Sequence, residues 1–359
     1  MKLLTCQSDL SHLLKTVARA VSAKPSHPIL AGVLLTAGDG RLTATGYDLE
    51  LGITSSIQAA VQTPGSTVVP YRTLLELTGR MEATEAISMA ADGTQLKLSS
   101  TSGAYSLAVD DAADYPELPA VAVSDDYSDL TAALTAVLPA AATDAAKQVL
   151  TGVHLFAAGG GNLRIAATDG HRLSIVNIDS TALFSAIVPA RCLALIKQPA
   201  AIAFDNGHVS LTFEDGTTVI SRTLDGTYPK VEQLIPDAYS CSITINRVQL
   251  LNALQRVSVI GTSVIKLDVQ SKTLTLSAEL DANSGIESLP ITGSLPLLAF
   301  NPAYLIDGLR AFGSDTITIN ANSSTDPVVL TNPADSSQTY LVMPVQVRTY
   351  LVMPVQVPT

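Results

Sequence analysis

The chain has 359 residues, 47% of them hydrophobic, which is enough for two or three domains and a large buried core. Only 15% are charged, and a net charge of −11 argues against a tight grip on nucleic acid, while leaving open an acidic body with one basic surface. No apolar run reaches the roughly 18 residues of a membrane span, the N-terminus carries no signal core, and Cys6, Cys192 and Cys241 read as reduced cytosolic thiols buried as small hydrophobes.

Taken in order, the chain repeats one plan three times. Each copy opens with apolar residues at helical spacing. These are Leu10, Leu13, Leu14 and Val17, with Ser8 or Asp9 as candidate cap; Leu130, Leu134, Val137 and Leu138 after Ser128-Asp129; and Leu250, Leu251, Leu254 and Val257 after Asn246. A hairpin follows each helix. The strands are 32–37 and 41–46, 152–157 and 162–167, and 265–269 and 273–278, around Gly38-Asp39-Gly40, Ala158-Gly159-Gly160-Gly161 and Gln270-Ser271-Lys272. A proline then introduces a second helix: Pro70 before Leu74, Leu75 and Leu77; Pro189 before Leu193, Leu195 and Ile196; Pro302 before Tyr304, Leu305 and Leu309. Further strands follow over 86–109, 201–223 and 316–347, the first two closing on matching phrases, Asp114-Tyr115-Pro116 and Thr227-Tyr228-Pro229.

The expected fold is α+β, with three domains over 1–120, 127–237 and 240–348, each with two helices packed on antiparallel sheet. Edge strands at the two ends invite pairing with another protomer. The chain closes on a duplication: Thr339–Val347 and Thr349–Val357 are both TYLVMPVQV. Pro344 cannot donate to a ladder and should stop the strand that runs into it.

Candidate chemistry centres on Thr168-Asp169-Gly170-His171-Arg172-Leu173. Asp169 and His171 suggest an acid–base pair, but no nucleophile is set against them. The same phrase reads as a strand-end turn with Gly170 at positive φ, or as a recognition surface. The five histidines lack metal-ligand spacing, and Gly159-Gly160-Gly161 joins two strands instead of opening a phosphate-binding helix. Lys24, Arg72, Lys147, Arg191 and Lys197 recur near helix ends, and would share one side if the repeats align.

Five phrases carry a resemblance: Pro25-Ser26-His27-Pro28-Ile29-Leu30, Ala167 through Leu173, Tyr228-Pro229 to Ile235-Pro236, Phe300-Asn301-Pro302-Ala303-Tyr304-Leu305, and Tyr340-Leu341-Val342-Met343-Pro344. In this order and spacing, over essentially residues 1–348, the chain resembles the bacterial DNA sliding clamps, the beta subunits of replicative DNA polymerase III. The resemblance implies a head-to-tail homodimer closed into a ring around duplex DNA, with helices lining the hole and sheets on the rim. It implies no catalysis and no cofactor. Such a ring tethers the replicative polymerase and other proteins bearing a clamp-binding motif, and a clamp loader opens and closes it.

The resemblance also assigns residues. A partner-peptide pocket would be walled by Leu150, Thr168, Gly170, His171, Arg172, Leu173, Pro229 and Leu234 from the middle domain, and by Asn301, Tyr304, Leu341, Val342, Met343, Pro344 and Val345 from the last. Burying one partner Leu or Phe there would contribute roughly 1.5–3 kcal/mol. DNA-facing cations would be Lys24, Arg72, Lys147 and Arg191, although Asp144 and Gln148 stand where relatives often carry basic or aromatic residues. The protomer interface would set Tyr105 and Leu107 against Val259 and Ile260.

Two features depart from the pattern. The segment Val259-Ile260-Gly261-Thr262-Ser263 is short, and the tail is duplicated. The first tail copy falls in register as the last strand, Tyr340 to Val347; the second, residues 349–359, is expected to be an appended extension, or to fold back over the pocket. Two alternatives stand beside the clamp. One is a clamp-like paralogue or phage-type protein that binds partners but loads poorly; the other is a hydrolase using Asp169 and His171.

Overall fold

A computed structural model describes residues 1–121, 130–180, 184–196 and 200–346. The Ser128-Asp129 cap, Lys197 and the second tail copy lie outside these residues. The first hairpin of each repeat closes on a two-residue turn whose central residues are both left-handed. These are Asp39 and Gly40 (φ 50° and 72°), Gly160 and Gly161 (64° and 79°), and Ser271 and Lys272 (48° and 64°). That turn matches the twist of the flanking strands. The third copy reaches it without glycine, so its strand pairing overrides an unfavourable backbone region.

The described residues divide into two compact sets, each treated by itself. The first comprises Met1–Thr131 with Arg191–Thr223. It holds a five-stranded sheet in the order Ala60–Thr63, Lys2–Cys6, Ala86–Ala91, Gln95–Ser99, Ala104–Ala108. A seven-stranded sheet runs Ala200–Asp205, His208–Phe213, Thr218–Arg222, Leu51–Gln58, Arg41–Tyr47, Gly32–Gly38, Gly65–Pro70. Strands of the first and middle repeats thus share one sheet, with Ser221 opposite Leu51 and Thr218 opposite Thr54. The helix Gln7–Val17 buries Leu10, Leu13, Leu14 and Val17. Neither Ser8 nor Asp9 caps it. Cys6 stands at the cap position, and the N–H groups of Gln7 and Ser8 donate to the carbonyls of Glu85 (2.9 Å) and Ala83 (3.2 Å) instead.

The second set comprises Ala132–Ala190 and the chain from Leu224 onward. Its nine-stranded antiparallel sheet runs Ser185–Pro189, Gly152–Gly159, Asn162–Thr168, Arg172–Asp179, Asp335–Val342, Val328–Asn332, Thr316–Ala321, Cys241–Asn246, Thr292–Gly293. The middle and last repeats join where Arg172–Asp179 pairs with Asp335–Val342, Leu173 lying opposite Leu341. A four-stranded sheet, Asn283–Pro290, Thr273–Leu280, Ile265–Gln270, Leu298–Phe300, completes it. The helices Arg247–Ser258 and Pro302–Ala311 are capped as their sequences require. Asn246 Oδ1 accepts from Gln249 N–H (2.9 Å), and Asn301 Oδ1 from Ala303 N–H (3.0 Å). Leu250, Leu254, Leu305, Leu309 and Phe300 bury against Ile243, Ile317 and Tyr340.

Three further expectations change. The last strand is Asp335–Val342, not Tyr340 to Val347. Beyond Val342 the N–H groups turn to other partners, Met343 to His171 O (2.9 Å) and Val345 to Ala299 O (2.7 Å), while Pro344 between them has none to give. The second helix of the middle repeat is only Ala190–Leu193, because Leu195 and Ile196 already donate in i−3 turns to Cys192 and Leu193. Of the cysteines only Cys192 is buried; Cys6 and Cys241 are half-buried at strand ends, and all three are free thiols.

Candidate functional site

The Thr168–Leu173 phrase is a tight turn between two strands, and its side chains lock it. Gly170 has φ 90°, a value that a Cβ would strain. Asp169 Oδ1 accepts the N–H groups of His171 (2.8 Å) and Arg172 (3.1 Å). Thr168 Oγ1 accepts from Gly170 N–H (3.1 Å) and donates to Arg172 O (2.7 Å). Behind the turn, the Tyr228 hydroxyl accepts from Thr168 N–H (3.0 Å) and donates to Gly152 O (3.5 Å). Burial pushes that phenol up to about 12, so it stays protonated and keeps both bonds.

Arg172 is the hub. Its Nε reaches Asp169 Oδ2 (3.1 Å), its Nη1 bonds Asp307 Oδ2 on the helix Pro302–Ala311, and its guanidinium lies 4.5 Å from the centroid of the Tyr304 ring. The His171 ring stacks on Tyr304 with a 6.1 Å centroid separation and 13° between planes. Asp169 therefore serves the turn and Arg172, and is not set against the His171 ring as an acid–base pair. Tyr304 is held from below: its carbonyl accepts from the Tyr340 hydroxyl (2.8 Å), and Tyr340 is 1% exposed. Burial raises the Tyr340 phenol far above its usual range, keeping it a donor. Gly308 lies flat against the Tyr340 ring, where a Cβ would overlap it.

The structure brings His171, Arg172 and Tyr304 into contact, and ties Met343 to His171 through the backbone. Thr168, Leu173, Leu341 and Val342 are buried and form a floor, not a wall. Leu150 packs on the cluster that contains Leu173, Tyr228 and Leu341. Met343, Leu234, Pro229 and Gly170 are exposed and Pro344 is half-buried. Asn301 spends its side chain on its helix cap. Val345 lines a separate cavity of about 250 Å³ with Val264, Lys266 and Glu279. An exposed Met343 tied to a cation-stacked aromatic is a surface suited to an apolar peptide with a polar or acidic flank.

The other assigned residues each have their own surroundings. Lys24 is exposed. Arg72 pairs with Glu76 (3.0 Å), Lys147 Nζ donates to Asp169 O (2.7 Å), and Arg191 bonds Asp48 (3.0 Å) and Glu50 (2.7 Å). Tyr105 is exposed and Leu107 half-buried on Ala104–Ala108, which ends the five-stranded sheet. Val259 is 84% exposed, and Ile260 packs against Gly285. Near them stands Ile286, 71% exposed on Asn283–Pro290, the edge strand of the four-stranded sheet.

Sequence reasoning passed over Asp307, Tyr340 as an anchor, and Ile286. Only Ile286 carried a local signal, a lone large hydrophobe among Ser284, Gly285, Glu287 and Ser288. Among the described residues, no group of three or more His, Cys, Asp or Glu is arranged to hold a metal.

Family models for the N-terminal, central and C-terminal domains of the DNA polymerase III beta subunit match residues 1–119, 126–230 and 232–346. The chain is 37% identical over 375 residues to the beta sliding clamp of Synechococcus elongatus, covering 97% of this chain and all of the relative. It is 37% identical over 390 residues to the beta sliding clamp of Synechocystis sp., with the same coverage. The structure of the DNA polymerase sliding clamp from Bacillus subtilis matches with a TM-score of 0.85 at 23% identity, covering 98% of this chain and 100% of that one, and so has the same fold. The chain belongs to the DNA polymerase III beta subunit family, the beta sliding clamps, and its function is that of a non-catalytic processivity factor.

Proposed function

We propose that two copies of the chain close head to tail into a ring around duplex DNA, and that the surface around Arg172 and Tyr304 captures peptide segments of the replicative polymerase, the clamp loader and other partners. The observation that carries the peptide site is the His171–Tyr304–Arg172 stack beside exposed Met343. The aromatic ring is fixed by Tyr340 and by Asp307-anchored Arg172, so a partner meets a preorganised platform and loses less binding energy to ordering it. Met343 can adapt to different apolar side chains, which suits partners that exchange at one site.

The ring rests on two open edges. Ala104–Ala108 and Asn283–Pro290 each end a sheet, and each has exposed or half-exposed apolar side chains nearby, Tyr105 and Leu107 in one case and Val259 and Ile286 in the other. An edge of this kind is satisfied by a strand from another protomer. The DNA is enclosed and need not be gripped. Arg72, Arg191 and Lys147 already have protein partners, which supports a weak, sequence-independent hold compatible with sliding.

The test is topological. Loaded by a bacterial clamp loader and ATP, the chain should co-elute with a circular plasmid and fall off once the plasmid is linearised. Retention indifferent to linearisation would overturn the ring.

A further inference from the structure

We propose that the final-strand slot of the nine-stranded sheet is built to take either of two segments of this chain: Thr339–Val342, which fills it in the structure, or the identical Thr349–Val352. The slot is defined by its neighbours. Leu341 and Val342 lie opposite Leu173 and Arg172 on one side, and opposite Val329 and Val328 on the other. All that the slot recognises of its occupant is in the repeated phrase. Tyr340 is buried with its hydroxyl on Tyr304 O, Leu341 and Val342 are buried, and Met343 N–H donates to His171 O. Tyr350, Leu351, Val352 and Met353 supply the same four groups in the same order.

The spacing permits the exchange. The copies are offset by ten residues, from Thr339 to Thr349. Because the phrases are identical from Thr339 and from Thr349 onward, each residue of the second copy takes the place, and so the face, of its counterpart. Apolar burial within the slot is the same in the two registers, because the two occupants are identical in sequence.

What separates the registers lies upstream. In the observed one, Asn332 lies opposite Asp335 across Pro333-Ala334, and Gln338 Nε2 bonds Ala311 O (3.1 Å). In the shifted one Asn332 lies opposite Val345, Arg348 stands in place of Gln338, and the connection grows from two residues to twelve (333–344). Closing a loop six times longer disfavours the shift about 15-fold. The second register is thus a minor state of the wild type, at a few per cent.

The experiment disables one copy at a time and reads folding, not partner binding. Leu341→Asp puts a carboxylate at a position 2% exposed. With the second copy available, its melting temperature should fall by no more than about 5 °C. Leu351→Asp alone should leave the melting temperature unchanged, and Leu341→Asp with Leu351→Asp should lose more than about 10 °C. The proposal is overturned if Leu341→Asp alone melts with the double variant, or if the double variant melts with Leu341→Asp near wild type. Cysteines at Thr331 and Thr349 give an independent reading. Thr331 lies opposite Thr339 now, so a Thr331→Cys, Thr349→Cys pair should form its disulfide in the Leu341→Asp background. Absence of that crosslink, while Thr331→Cys with Thr339→Cys forms one in the wild-type background, would also overturn it.

Discussion

Replacing Arg172 by Met keeps a long side chain and removes the fork that joins the turn to the helix Pro302–Ala311. The fork makes two charge-assisted bonds, to Asp169 and Asp307, each worth roughly 1.5–3 kcal/mol in partly buried settings. Stacking on Tyr304 adds about 0.5–1 kcal/mol. Asp307 is about a third exposed and recovers some hydration, so the low end of the sum applies, and R172M should cost about 2–4 kcal/mol. Arg172→Lys keeps the charge but not the planar fork, and should recover less than half of that loss. The assay is a double-mutant cycle with Asp307→Asn in urea denaturation. A coupling of about 1–2 kcal/mol is expected, together with roughly tenfold weaker binding of a clamp-binding peptide to R172M. Additivity within about 0.3 kcal/mol, with unchanged peptide affinity, would refute the role of Arg172 as the hub.

Gly308→Ala should cost about 1–3 kcal/mol by thermal denaturation, because its Cβ overlaps the Tyr340 ring. Hydrogen bonds from Thr101 and Ser102 hold the Glu85 carboxyl down at about 2. Its folded pKa lies below the unfolded one, so the stability it confers is present above pH 4.5 and is lost as pH falls towards 2. Glu85→Gln should flatten melting temperature against pH across that window, and an unchanged slope would count against the assignment. A disulfide reagent at pH 8 should modify Cys6, whose thiol the hydrogen bond with Ser8 acidifies, well before Cys192, whose thiol burial pushes up to about 12; peptide mapping by mass spectrometry orders the two. Ile286→Arg should halve the mass seen in sedimentation without altering the melt of the isolated protomer, if that edge joins protomers.

Much of this was legible in the sequence wherever the cause is local. Apolar spacing over Leu10–Val17 and Leu250–Val257 gave true helices, the Asn246 cap forms as written, Pro302 opens the last helix, and the three hairpins turn where glycine or polar pairs stand. What stayed hidden is non-local. The helix Gln7–Val17 needs no Ser8 cap because carbonyls of Ala83 and Glu85, far along the chain, receive its first N–H groups. Arg172 carries no mark of Asp307, 135 residues away. Arg191 reads as a solvent-facing cation at a helix start, yet two carboxylates near the turn after Tyr47 claim it. The Thr168–Leu173 phrase itself announces a turn, while the burial of Leu173, Leu341 and Val342 beneath it follows from a strand pairing between repeats that no local pattern encodes.

The most direct measurement is primer extension on a circular single-stranded template, with polymerase trapped after one binding event and a clamp loader present. The wild-type chain should give products that run far around the circle, and Tyr304→Ala should shorten them to the length made without it. Products of one length in all three reactions would contradict a clamp that tethers polymerase through the Arg172–Tyr304 surface.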